Sequence, residues 1–305
     1  MITVDADFTE DLRQHFLAQL RAFGYTPADD WTCDRAGMAY FRARRRLVVQ
    51  RPRRVHLSNE LRARADSLLA LVAMVAAEVE RGDDLSLRLS REVPLPEVND
   101  HLLNDWGIHH LHLGRRRETG RKGWPRVQST RDLLFMCLGA DDAWFIDVRP
   151  HGAWVDVELL ETIRLNWPDL MQPYLLRGIT ESGAPMTREE RANLRGVHAQ
   201  AAIRLGDGLC YCGPGGGLVS SGDAFLDVRA CHGVMTATEE VEQVLRDNAK
   251  AIAAALGGAP GTDDVLRLRL QIRDGVPVYV ETVTDTELNC PALAKIEEEF
   301  RWLRR

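Results

Sequence analysis

The sequence predicts an α+β protein, and three observations carry that prediction. Apolar residues recur at helical spacing in Phe8 to Phe23 and Asn59 to Arg81. Short strand-like runs cluster at Ile108 to Leu113, Leu133 to Leu138 and Trp144 to Val148. Helices and strands come in blocks rather than in strict alternation, so the expected sheets are small and mostly antiparallel, with helices against them.

In the first element, Leu12, Phe16, Leu20 and Phe23 form the apolar stripe, and Gly24 follows it as a left-handed stop. Met38 to Leu57 carries strand signals, with Leu47, Val48 and Val49, then Val55 and Leu57, on either side of Pro52. A helix is expected from Asn59 to Arg81, capped by Ser58 or Asn59 and closed by Gly82. Pro94 and Pro96 mark a loop. Three strands follow, the last two joined as a hairpin by Asp141 and Asp142, and Val155 to Asn166 is a helix stopped by Pro168. Gly178 to Pro185 reads as a linker, which divides the chain into a helix-sheet-helix domain, residues 1–180, and a second α+β unit, residues 185–305.

In the second unit Thr187 and Glu190 have capping-box spacing. Val197 to Arg204 and Leu209 to Cys212 flank Gly206-Asp207-Gly208 as a hairpin, and the glycine-rich stretch Gly213 to Gly222 comes next. Thr238 to Leu256 is a helix. Val265 to Ile272 and Val276 to Val283 form a hairpin about Asp274-Gly275, and Pro291 to Arg305 is a terminal helix.

The 305 residues are 45% hydrophobic and 28% charged, which suits a globular protein with substantial cores. Residues 1–11 lack the apolar stretch of a signal peptide. The longest apolar run, Leu68 to Ala77, is far short of the roughly 20 residues that cross a bilayer. A cytoplasmic protein without a membrane partner is expected, its six cysteines reduced. Cys210, Cys212, Cys231 and His232 fit zinc spacing poorly, and small buried thiols are the better reading.

The net charge of −6 is unevenly spread. Residues 42–54 hold seven arginines and no acid, and residues 115–131 hold six arginines, one lysine and one glutamate. Two such stretches on an acidic chain point to an anion-binding surface, with RNA or DNA as partner through Arg44, Arg45, Arg46, Arg53, Arg54, Arg115, Arg116 and Arg117. The alternative is a pair of solvated faces matched by acids elsewhere.

Five of the nine histidines lie between His101 and His151. In Ile108 to Leu113 the strand period puts His109, Leu111 and Leu113 on a core face. Ile108, His110 and His112 share the other face, with the two imidazoles roughly 7 Å apart on an open side. Asp147 and Arg149 alternate with Trp144, Ile146 and Val148, and they join the histidines if they face the same way. His110, His112 and His151, with Asp147 and Arg131, are the candidate catalytic residues for metal-independent RNA cleavage. One imidazole takes the 2′-hydroxyl proton, a second protonates the leaving oxygen, and an arginine offsets charge on phosphorus. No metal or cofactor is expected. The rivals are a non-catalytic binding or adaptor protein with structural histidines, and a metal-binding protein. The glycine-rich stretch lacks the lysine ending of a P-loop and reads as a structural loop.

The run Asn104-Asp105-Trp106-Gly107-Ile108-His109-His110-Leu111-His112-Leu113-Gly114 is followed by Phe145-Ile146-Asp147-Val148, His151-Gly152-Ala153-Trp154 and Asn166-Trp167-Pro168. Together they resemble a family of uncharacterised bacterial proteins, over roughly residues 40–180. The order of helix, basic connection and strands is also similar to that of RelE-type ribonuclease toxins, which implies basic and imidazole side chains on a small RNA-cutting sheet. The chain departs from those toxins in its size, its large C-terminal half and its lack of their terminal basic-tyrosine pattern.

Overall fold

A computed structural model describes residues 2–179, 184–258 and 264–304, and within them the chain is α+β. In chain order the strands are β1 (Thr3–Asp5), β2 (Arg54–Leu57), β3 (His109–His112), β4 (Arg117–Thr119), β5 (Pro125–Val127), β6 (Asp132–Leu138), β7 (Asp142–Pro150), β8 (Ile203–Arg204), β9 (Cys210–Tyr211), β10 (Val265–Arg273), β11 (Val276–Glu281) and β12 (Thr286–Glu287). The helices are α1 (Phe8–Ala22), α2 (Cys33–Arg46), α3 (Asn59–Arg62), α4 (Asp66–Arg81), α5 (His101–Trp106), α6 (Glu158–Asn166), α7 (Pro168–Met171), α8 (Arg188–Gly196), α9 (Phe225–Asp247), α10 (Ala249–Ala255) and α11 (Ala294–Glu297).

The chain forms two compact units, residues 42–226 and residues 1–41 with 227–305. They are drawn differently from the expected domains at 1–180 and 185–305. The reason is a non-local pairing that no turn signal announces: β1 runs parallel to β10, Thr3 opposite Val265, so the N-terminus completes the C-terminal sheet. Residues 180–183 of the expected linker lie outside the described residues.

In the unit of residues 42–226 the sheet order is β2-β7-β6-β3. Only the β2–β7 pair is parallel. Both faces of this sheet are covered. On one, Leu111, Leu134, Met136 and Phe145 pack with Val72, Val75 and Val79 of α4. On the other, Ile108, Leu133, Phe135 and Ile146 pack with Leu159, Leu160 and Ile163 of α6. The histidine face is therefore a second core rather than an open side. Two amphipathic helices, one per face, remove more apolar area from water than one could.

Several local expectations need correction. Met38 to Arg46 is helical, in α2, with Ala36, Ala39, Tyr40 and Ala43 buried at helical spacing. The expected helix over residues 59–81 is two, broken at 63–65, with Ser58 capping α3 and Gly82 (φ 76°) closing α4. The basic connection folds into the hairpin β4–β5. The helix expected at Thr238 starts instead at Phe225. The C-terminal segment is short 3-10 turns about α11.

In the other unit the sheet order is β1-β10-β11-β12, and Asp274 and Gly275 both take positive φ at the β10–β11 turn, as expected. There α1 is tied to the sheet by the Leu270 N–H donating to Asp11 (2.8 Å) and by Phe8 stacked on Tyr279.

Candidate functional site

The candidate site lies where β3 ends, β6 begins and β7 ends. A β-bulge shapes it. Met136 pairs with Phe145 and Phe135 with Asp147, so Ile146 is the extra residue on β7. Strict alternation would set Asp147 opposite Ile146. The bulge instead leaves both on one face, since Asp147 shares a cross-strand row with Phe135 and His110, and Arg149 shares one with Leu133 and His112. The conditional placement of Asp147 and Arg149 beside the histidines is realised by a device that strand period cannot show.

His151 continues the ladder, its N–H donating to the Arg131 carbonyl at 3.0 Å. Gly152 (φ 98°) then turns the chain into a single 3-10 turn, residues 153–155, that carries Trp154. The Trp154 ring is 4.6 Å from His110 and 5.3 Å from His151, and His151 is 5.7 Å from His112. The three expected histidines are thus brought together, with Trp154 touching His110 and His151, and His151 touching His112.

Their environments differ. His112 is 3% exposed, and burial, followed by the nearby Arg126 charge, pushes its pKa down to about 4. Its Nδ1 accepts the Thr130 N–H at 3.1 Å, so the neutral ring carries its proton on Nε2. His110 is also shifted down, mainly by burial, with Asp100 opposing. His151 is exposed. His109, also buried, is pushed to about 4 by desolvation.

Asp147 cannot serve as a base here. It is fully buried and accepts four hydrogen bonds: two from Arg64 (3.0 and 2.7 Å), one from Arg149 (2.7 Å) and one from the Val148 N–H (2.8 Å). A carboxylate has about four acceptor positions, and all are filled. Its role is to hold two guanidinium groups at the end of β7. Arg131 stands exposed beside His151.

A second feature escaped the sequence reading. Arg91 donates to Ser129 Oγ at 2.9 and 3.1 Å, and Arg126 donates to the same hydroxyl. Burial, then the Arg91 charge, lowers the Arg126 pKa. Two guanidinium groups meet at a neutral oxygen beside Thr130, with Glu118 (3.1 Å from Arg126) as a counter-charge. Arg64, Arg91 and Ser129 sit in loops whose local sequence carries no motif.

The two basic stretches part company. Arg46 is 5% exposed and donates to the carbonyls of Glu92, Val93 and Leu95, while Arg53 is 8% exposed and donates to those of Val49, Arg51 and Gly139. Arg54 pairs with Asp142 at 3.0 Å, and Arg44 and Arg45 are half-buried in the last turn of α2. Arg46 and Arg53 are therefore internal clips, unavailable to a phosphate. Arg115, Arg116 and Arg117, by contrast, are exposed, and among the described residues none of the three makes an ion pair.

The glycine-rich loop is structural. Its Gly215 and Gly217 amides donate to the carbonyls of Asp105 (3.0 Å) and Asn104 (3.1 Å), at the end of α5. A Cβ at Gly213 would come within 2.1 Å of the Asp105 oxygen. All six cysteines are free thiols, and Cys212 is exposed rather than buried. Among the described residues no three His, Cys, Asp or Glu side chains are placed to share a metal ion. No described helix is long and apolar enough to cross a membrane.

No family model matches this chain, and no curated protein or solved structure matches it either, so the resemblance of the residue 104–114 segment rests on those residues alone.

Proposed function

We propose that this protein binds nucleic acid through the β4–β5 hairpin and cleaves RNA without a metal between His112 and His151. One observation carries the reading. The basic hairpin is the connection between β3 and β6, so it springs from the strand ends that hold His112 and adjoin His151. Unpaired cations on a two-stranded ribbon supply sequence-independent phosphate contacts. Arg91 and Arg126 at Ser129 would hold the phosphate beside the imidazoles. His151, exposed, takes the 2′-hydroxyl proton. His112 turns its Nε2–H to the leaving oxygen, and a bound phosphate between the arginines favours its protonated form.

A second reading is favoured by the burial of His112 and the saturated carboxylate of Asp147: binding without cleavage. A nuclease assay on RNA in chelator separates the two. Cleavage is expected to fall about 10²- to 10⁴-fold in His151→Ala with folding intact. The His112→Ala/His151→Ala double variant should be no worse than the poorer single one, because the pair acts as a unit. RNA bound but uncut by the wild-type protein would leave the binding reading. No salt-dependent binding at low ionic strength would remove both.

A further inference from the structure

Trp154 and His110 also line a cavity of about 320 Å³. This is near the lower end of small-molecule sites, roughly 300–1,000 Å³. Its walls include Leu89, Val93, Val98 and Leu102, with Trp154 as the aromatic side, and Asp100, His101, His109 and His110 supply polar groups beside the charged Arg46, Glu92 and Arg195. Two of these groups are placed unusually. His110 Nδ1 is buried with no hydrogen-bond partner. Asp100 Oδ2 stands 3.7 Å from it, too far for a hydrogen bond. The other Asp100 oxygen caps α5 by accepting the Leu103 N–H at 3.1 Å. An unsatisfied buried nitrogen costs free energy unless something else meets it. An imidazole nitrogen and a carboxylate oxygen side by side in a cavity of mixed polarity with one aromatic wall match the edge of a flat heterocycle that carries neighbouring ring-nitrogen and amine groups.

We infer that this cavity is a nucleobase pocket, in which Asp100 and His110 read the base edge and Trp154 lies against the ring. The inference deepens the RNA reading, since Trp154 touches both His110 of the pocket and His151 of the candidate cleavage point, so one indole adjoins both. Bases are held this way generally, by stacking on aromatic rings and hydrogen bonds to their edges. Asp100 is the specificity determinant because its free oxygen only accepts, and so selects a base that presents an N–H.

The test uses the full-length protein with histidine imidazole resonances followed by NMR. Adenosine, guanosine, cytidine, uridine and ribose are titrated separately, as is inorganic phosphate. At least one nucleoside should shift His110, ribose should shift neither His110 nor His151, and phosphate should shift His151 or His112 first. Asp100→Asn keeps the helix cap, because asparagine caps as well as aspartate, but it turns the free acceptor into a donor. It should weaken the preferred nucleoside about tenfold or more and change the order of preference. Trp154→Leu should weaken all nucleosides by about tenfold to a hundredfold. A short single-stranded RNA that binds more tightly than its nucleosides, by an increment lost on replacing Arg115, Arg116 and Arg117, identifies a polymer rather than a free nucleoside as the ligand. Nucleoside binding with no RNA binding would keep the pocket and overturn the nuclease proposal. No shift of His110 by any nucleoside at millimolar concentration, or an unchanged preference in folded Asp100→Asn, overturns the pocket.

Discussion

Residues 42–54 and 115–131 carry nearly the same positive charge, and most of their arginines put it to different uses. In the first, the guanidinium groups of Arg46 and Arg53 are drawn inward to backbone carbonyls, Arg42 pairs with Asp223, and Arg54 pairs with Asp142. In the second, Arg115, Arg116 and Arg117 stand on a two-stranded ribbon facing water. The difference follows from what each stretch is connected to. The first leaves the end of α2 and must cross loops at 47–53 and 89–98 that carry unpaired carbonyls, and a buried arginine is an efficient multiple donor for them. The second has no such loop to close. A run of positive charge therefore announces a binding surface only after the local backbone has taken the donors it needs.

Breaking the inward set should have the largest effect on stability of any single substitution. Arg46→Ala and Arg53→Ala each strand several carbonyls, and each should lower unfolding free energy by about 2–3 kcal/mol, measured by urea denaturation. An unchanged midpoint in both would mean that these arginines are not structural.

Acid should act next. His109 and His112, held at about 4 in the folded protein against about 6.5 unfolded, are neutral in both states at pH 8. As pH falls below 6.5 the unfolded chain takes up the protons first. Stability that is complete above pH 6.5 is thus lost progressively down to about pH 4, by on the order of 3 kcal/mol per histidine. His112→Asn, which can still accept from Thr130, should remove about half of that dependence. A flat stability profile from pH 7 to 4.5 would contradict the burial of both rings.

The outward set should do least to stability and most to binding. Replacing Arg115, Arg116 and Arg117 with alanine should leave the urea midpoint within about 0.5 kcal/mol of wild type. The slope of log affinity against log salt for single-stranded RNA should flatten by about 2. Smallest of all is Arg121→Ala. It breaks an exposed 2.9 Å pair with Glu92, is expected to cost under about 1 kcal/mol, and calibrates the surface background for the other variants.

Legibility in the sequence tracked how local each feature is. The Thr187–Glu190 capping box, the Ser58 cap and the Asp274-Gly275 turn are short-range contacts between named side chains and nearby backbone, and all form as expected. The triad of His110, His112 and His151 also came together, because strand period and a hairpin were enough to place it. The expectation missed α2 because its buried residues, Met38 to Phe41 and Ala43, form a nearly unbroken run that ends in half-buried arginines, so no polar face marks the helical period. The closed histidine face was missed because it depends on where α6 docks. Asp100 was legible in principle as a helix cap before His101-Leu102-Leu103, though its free oxygen beside His110 is a tertiary fact.

The bulge at Ile146 has a consequence for how this protein can change over generations. Every side chain of β7 beyond it, including Asp147 and Arg149, has the facing that regular alternation from Phe145 would give if that one supernumerary residue were missing. Deleting Ile146 would leave a well-paired sheet with the same hydrogen-bond ladder and Asp147 still opposite Phe135. A further residue inserted before Asp147 and taken into the regular ladder would instead turn its fully buried carboxylate toward the layer of Val72, Val75 and Val79, away from Arg64. Single-residue insertions, ordinarily harmless in surface loops, should therefore be purged between Phe145 and Asp147, while loss of Ile146 costs only its own packing. A scan of single-residue insertions and deletions would register that as a strand closed to insertion, with its mildest deletion at one isoleucine.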